Sequence, residues 1–166
     1  MNKVMGYMKE LLPYIVVIII VIIIKTFIFT PIRVNGPSMN NTLKDKDIMI
    51  LDEISYRFSD IERFDIVVIK YNNEYIIKRV IGLPGDRIKY KDNKLYVNDK
   101  VVKENFSHKK TDDFDEVLVE DDSYFVLGDN RSDSLDSRII GSISKNDIKG
   151  KTSFTIFPFS RFGNKK

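Results

Sequence analysis

The chain has 166 residues, 43% apolar and 31% charged, enough for one folded domain with little room for a second. It has no cysteine and a single histidine, His108, which excludes disulfides, a thiol nucleophile and thiolate or histidine-rich metal centres. The net charge is +3, and Lys3, Lys9, Lys25 and Glu10 are the charged residues of positions 1–30. The remainder is therefore nearly neutral and lacks the basic field that a nucleic-acid partner needs.

Residues 11–29 read LLPYIVVIIIVIIIKTFIF. As a helix this stretch would rise roughly 28 Å, close to the hydrocarbon thickness of a bilayer. The run 15–24 is unbroken Ile and Val with no period-2 pattern, so it is expected to span a membrane rather than form a strand. Lys25 can snorkel to the headgroups, and Pro13 falls in the first turn, where a missing N–H costs little. A domain this small could hardly bury such a helix on all sides, and no small-x-small cleavage site follows it. The segment is read as an uncleaved anchor. Its orientation does not follow from charge, since Lys3 and Lys9 precede it while Lys25, Arg33, Lys44 and Lys46 follow.

Beyond the anchor, short apolar bursts alternate with turn residues. The stretches 47–54, 65–71, 75–83, 86–90, 94–98, 115–119, 123–129 and 152–159 all read as strands. Asp92-Asn93 between two of them predicts a hairpin turn. The polar stretch 103–116 (KENFSHKKTDDFDE) is expected to be a surface loop. The class is mostly β, with one domain over residues 30–166.

Three segments can carry chemistry. In VNGPSMNNTL (34–43), Gly36-Pro37 sets a turn that can present Ser38 outward, although a serine in such a turn is also ordinary loop chemistry. In EYIIKRVIGLPGD (74–86), a strand puts Ile76, Lys78 and Val80 on one face and Ile77, Arg79 and Ile81 on the other. Two readings of Lys78 follow: a solvated lysine on an edge, or a buried one whose amine is neutral enough to act as a base. The third segment, GDNRSDSLDSR (128–138), concentrates Asp, Asn, Arg and Ser after an apolar strand, a composition suited to charge-assisted hydrogen bonds around a site.

Taken in order, these segments resemble bacterial type I signal peptidases. SMNNTL stands beside that family's S-M-x-P-T-L, RFDIVV (63–68) beside its R-G-D-I/V-V, YIIKRVIGLPGD beside its catalytic-lysine strand, and GDNRSDSLDSR beside its last motif. The resemblance implies the signal-peptidase/LexA-like β fold behind a single transmembrane helix. It also implies a serine protease that cuts signal peptides from exported preproteins after small-x-small sequences. Residues 1–10 would be cytoplasmic, 11–29 the single-pass type II anchor in the lipid bilayer, and the β domain extracytoplasmic.

Carried over by position, Ser38 is the nucleophile and Lys78 the general base. Ser134 orients the lysine amine, while Arg79, Asp129, Asp136 and Arg138 form an ionic framework. Ile32, Val34, Met39 and Ile77 line shallow pockets for small side chains. The oxyanion would meet the Ser38 N–H with little side-chain help, because Gly36 carries no hydroxyl. No metal or cofactor is implied, and nothing in the sequence fixes an oligomeric state.

The residues agree with this picture independently. A serine hydrolase whose one histidine lies outside every motif needs another base, and lysine can serve. The chain from Phe29 to Ser38 spans at most roughly 30 Å, which keeps the serine near the bilayer. Two positions depart from the pattern: Asn41 stands where the family has proline, and Phe64 where it has the glycine of R-G-D. Proline would restrict the loop, so Asn41 is expected to cost some preorganisation. Competing readings are a membrane-tethered β domain without activity and a self-cleaving Ser/Lys protease of the repressor type. The first is disfavoured by the intact Ser38, Lys78 and Ser134, the second by the anchor and the lack of a DNA-binding segment.

Overall fold

The computed structural model describes residues 10–21 and 30–165. Residues 10–21 form a helix, α1, with every residue exposed. Among the described residues no helix is long and apolar enough to cross a membrane. The remainder of the expected anchor, residues 22–29, lies outside the described residues.

Among the described residues the β domain has twelve strands. β1 (Thr30–Arg33), β2 (Ile48–Asp52), β3 (Ile66–Tyr71), β4 (Glu74–Gly82), β9 (Ser123–Leu127), β10 (Ile143–Ser144), β11 (Ile148–Phe157) and β12 (Gly163–Asn164) form one sheet. Its order is β1-β2-β11-β3-β4-β9-β10, with β12 added to β11. β5 (Arg87–Lys91), β6 (Lys94–Val97), β7 (Lys100–Val102) and β8 (Phe114–Leu118) form a second sheet of order β7-β6-β5-β8. All the ladders are antiparallel. A short helix, α2 (Ser137–Ile140), follows β9.

Local sequence accounts for the hairpins. β3–β4, β5–β6 and β6–β7 turn on Asn72-Asn73, Asp92-Asn93 and Asn98-Asp99, and all six residues hold positive φ. Asn and Asp tolerate the left-handed region best among non-glycine residues, and two such residues in succession match the right-handed strand twist. The predicted Asp92-Asn93 turn is one of these three. The eight predicted strands coincide with β2, β3, β4, β5, β6, β8, β9 and β11. The first strand, β1, was not anticipated because Pro31 interrupts the pattern; as the end strand of the sheet it has room for a missing N–H.

The large sheet is covered on both faces. Ile66 and Val68 of β3 enter one cluster with Val34, Met39, Leu43, Met49, Leu51 and Ile77. Val67 and Ile69, pointing the other way, enter a second with Val80, Tyr124 and Val126. A third cluster joins the two sheets through Ile81, Ile88, Tyr90, Leu95, Phe125 and Leu127. β4 reaches all three, with Ile77 in the first, Val80 in the second and Ile81 in the third.

The stretch 103–116 is less exposed than its composition suggests. Glu104, Phe106 and His108 are partly buried on alternate positions, Thr111 is buried, and β8 begins at Phe114. The surface-loop expectation holds only for the outward positions between them.

Gly82 lies at a close contact between the sheets: a Cβ there would lie 2.9 Å from both Ile88 and Val119 and 3.0 Å from Phe125. Gly82→Ala is expected to destabilise the domain by about 1–3 kcal/mol through overpacking. A urea unfolding midpoint of the full chain, compared with wild type, checks this.

Candidate active site

Ser38 sits in a tight turn held from both sides. Gly36 adopts φ 85°, the Pro37 carbonyl accepts the Asn40 N–H at 2.8 Å, and the Met39 carbonyl accepts the Leu43 N–H at 2.9 Å. Met39 (1% exposed) and Leu43 (0%) pin the turn into the core. From the opposite side, the Asn130 N–H donates to the Ser38 carbonyl at 2.9 Å and its Nδ2 to the Pro37 carbonyl at 3.1 Å. The turn therefore presents Ser38 Oγ while its backbone is fixed by the loop after β9.

Lys78 faces that hydroxyl from β4, with Nζ 2.8 Å from Ser38 Oγ. It pairs with Val67 of β3 on one side, whereas the β9 ladder begins only at Arg79. Lys78 thus lies where β4 loses its second neighbour. The residue is 3% exposed. Burial pulls its amine down to about 8, against the Asp136 and Asp129 carboxylates, which favour the charged form.

Arg79, the next residue along β4, points the other way and is equally buried. Its Nε and Nη2 hold Asp129 Oδ1 and Oδ2 at 2.9 and 2.7 Å, its Nη1 donates to the Phe64 carbonyl at 2.9 Å, and Nη2 also reaches Thr42 Oγ1 at 3.3 Å. Thr42 Oγ1 donates in turn to Asp129. One guanidinium therefore joins β4, the serine turn, the loop before β3 and the loop after β9. Asp136 accepts the Gly128 N–H at 3.1 Å and is held by Arg138, whose Nε and Nη2 lie 2.9 and 2.8 Å away. Arg138 Nη2 also donates to the Arg131 carbonyl at 2.6 Å.

Ser134 lies beside Gly128, where a methyl group would overlap Ser134 Oγ and the Ser38 carbonyl. Its Oγ is buried and without a hydrogen-bond partner among the described residues, so in this structure it does not bond the Lys78 amine. Ile32 and Ile77 line a cleft of about 660 Å³ together with Ser38 and Lys78. The other two expected pocket residues do not: Val34 (2% exposed) and Met39 lie behind the cleft in the core, because alternation and the turn point them inward. The cleft runs between β1 on one side and residues 74–78 of β4 on the other. His108 is not among the residues lining it and instead faces Glu104, with Nε2 3.3 Å from Oε2.

The two motif departures are structural events. Asn41 holds φ 110°, which the proline ring cannot adopt, so asparagine is built into this turn rather than merely loosening it. Phe64 holds φ 75°, a conformation that costs an L-residue roughly 1–2 kcal/mol. Asn130 was not singled out from sequence, and neither was Arg131, which is 2% exposed and bonded to Gly128, Tyr90, Thr111 and Glu104. Their only signal was membership of the polar segment after β9. Arg63 and Asp86 join the RFD and LPGD segments by an ion pair of 2.9 Å and serve the architecture.

Comparison with known proteins gives the family of the chain. The family described as "Signal peptidase, peptidase S26" matches residues 7–157. The chain is 40% identical over 164 residues to signal peptidase I of Bacillus amyloliquefaciens, covering 92% of this chain and 89% of that protein. It is 39% identical over 178 residues to signal peptidase IB of Staphylococcus aureus strain Mu50, covering 93% of each. A crystal structure of a signal peptidase I from Enterococcus faecalis V583 superposes with a TM-score of 0.51 at 32% identity, covering 56% of this chain and 97% of that one. With the family matched over nearly the whole chain, and with relatives near 40% identity spanning most of both proteins, the chain belongs to the signal peptidase family, peptidase S26, and is a serine endopeptidase.

Proposed function

We propose that the protein removes signal peptides from exported preproteins, with Ser38 as nucleophile and Lys78 as general base. The observation that carries this reading is the 2.8 Å approach of a buried lysine amine to a serine hydroxyl at the end of an open cleft. A neutral amine accepts the Ser38 proton as Oγ attacks the scissile carbonyl carbon. The resulting ammonium returns the proton to the leaving amine, and the acyl-enzyme remains. Lys78, neutral again, then takes a proton from water as the water attacks the ester, and the freed Oγ recovers it. The Ser38 N–H donates to no protein acceptor among the described residues, so it is free to meet the oxyanion.

Substrate binding follows from the cleft. Residues 74–77 of β4 have β3 on one side and, among the described residues, no strand on the other, so an extended peptide can pair along that edge. Ile32 and Ile77 line the cleft together with Ser38 and Lys78, an apolar surface that suits the small side chains of small-x-small sequences. Ser134 remains the candidate to orient the amine once a substrate repacks the site. Asp129, Asp136, Arg79 and Arg138 act as its fixed electrostatic frame.

The apolar helix α1, exposed all round, supports membrane anchoring through residues 11–29, since such a surface is stable only against lipid or protein. The reading is a single-pass type II protein with the N-terminus cytoplasmic and the β domain extracytoplasmic, its cleft near the bilayer.

In a cleavage assay with the full chain in detergent and a preprotein bearing a small-x-small site, Ser38→Ala and Lys78→Ala are each expected to lose at least about 10³-fold in kcat. Wild-type-like turnover by either would remove the dyad.

The acid limb of kcat/KM should have its midpoint near pH 8, because the amine acts only when neutral. The stability effect has a definite sign. Between about 8 and the ordinary lysine value of 10.5 the unfolded chain binds a proton that the folded chain does not, so stability rises with pH across that window. Lys78→Met is therefore expected to gain up to about 3 kcal/mol over wild type below pH 8, with the gain vanishing towards pH 10.5. Unfolding curves at several pH values test this.

Asn41→Pro, which would restore the family pattern, is expected to lower activity and the thermal midpoint together, because φ 110° must be abandoned. Improved activity would show that the turn adopts another conformation.

A further inference from the structure

The strained Phe64 is tied to a feature that the proposed mechanism does not use. Its ring lies 5.3 Å from that of Phe106, and the Phe106 ring faces the Arg79 guanidinium at 4.0 Å. Phe106 belongs to a strap, residues 104–111, laid across the ionic framework. Glu104 accepts from Arg131 Nη2 at 2.6 Å and from the Tyr90 hydroxyl at 2.7 Å. The Lys109 N–H donates to the Asp129 carbonyl at 2.9 Å, and Arg131 donates to the Thr111 hydroxyl.

The guanidinium edge of Arg79 is spent on Asp129, the Phe64 carbonyl and Thr42, so water can approach it chiefly over its faces. A second cleft, about 320 Å³, lies on this side of the sheet and is lined by Arg63, Phe64, Arg79, Phe106, Lys151 and Lys165 among others. Arg79 and Phe106 both border that cleft, with the Phe106 ring over one face of the guanidinium.

We propose that Phe106 is a positioning residue for the Lys78 amine, acting through Arg79: its ring closes the guanidinium face to water and keeps Arg79 on Asp129. Cation–π attraction is strongest where the cation is desolvated, as here. An Arg79 free to swing into the second cleft would leave Asp129 uncompensated beside the lysine, and a bare carboxylate holds a neighbouring ammonium in its charged form. The amine would then be neutral less of the time near neutral pH.

Other charges bear on the two groups. Asp136, paired with Arg138, faces Lys78 from the loop preceding α2, and Arg33, Glu53, Glu74 and Lys149 line the cleft mouth. Arg131 and His108 flank Phe106, with the Arg131 guanidinium 5.9 Å and the His108 ring 5.3 Å from the Phe106 ring.

The proposal rests on Lys78 being the base. Its test is the pH profile of kcat/KM for preprotein cleavage by the full chain, in a His108→Gln parent that removes the imidazole from the profile. Phe106→Ala is expected to move the acid limb about one unit towards higher pH and to lower kcat/KM at pH 7 about tenfold, with the alkaline plateau retained. Phe106→Leu fills the space without offering a π face; it should shift the limb in the same direction and serves if the alanine variant does not fold. Phe106→Tyr should restore the parent profile. Parent-like limbs in the leucine variant and in any folded alanine variant would overturn the proposal. A parallel Lys78→Ala chain that still cleaves would instead overturn the dyad, which keeps the two failures apart.

Discussion

The buried pair of Arg79 and Asp129 is the constraint on which the site depends. An ion pair withdrawn this far from water is unstable unless its remaining hydrogen-bonding capacity is met. Here the carboxylate takes two bonds from the guanidinium and one from Thr42, and the guanidinium also holds the Phe64 carbonyl. Each of these groups comes from a different part of the chain. Satisfying the pair therefore brings the serine turn, β4, the loop before β3 and the loop after β9 into one arrangement. Lys78 is one residue from Arg79 on a stiff strand, so fixing one fixes the other.

Alternation on β4 lets adjacent basic residues do opposite work. Arg79 is charged and neutralised in place, whereas Lys78 is buried beside a hydroxyl with no directly paired carboxylate among the described residues. The two carboxylates nearest in effect, Asp129 and Asp136, are each occupied by an arginine, which limits how strongly they hold the lysine proton. Burial wins over them, and the amine falls into a range useful for catalysis. Gly128 belongs to the same balance: only a residue without Cβ lets the strand end approach both Ser134 and the Ser38 carbonyl.

Local preference and global fit disagree at Phe64 and Asn41. A phenylalanine in the left-handed region is held there because its amide donates to Val80, its carbonyl accepts from Arg79 and its ring meets Phe106. The departure from glycine thus coincides with an aromatic cover over the framework. At Asn41 the sequence suggested a looser loop, but the turn uses a conformation from which proline is excluded. Such conflicts between levels concentrate near functional sites, where geometry outranks propensity.

Much of this was written locally. Alternating Ile and Val with Asn and Asp at the turns determined the strands and hairpins. Ser38, Lys78, Arg79 and Asp129 were marked by the resemblance their segments bear to type I signal peptidases, since each segment alone also fits an ordinary loop or a solvated strand face. What the chain order could not carry was partnership across distance. Alternation says that Lys78 and Arg79 face opposite ways, but only the strand order puts Ser38 beside one and Asp129 beside the other. The same limit hid β1 behind Pro31, sent Val34 and Met39 into the core instead of the cleft, and left Asn130, Arg131 and Phe106 unmarked. A side chain's face is a property of its own strand. What it meets there is set by elements far away in sequence, whose positions follow from the packing of the whole domain.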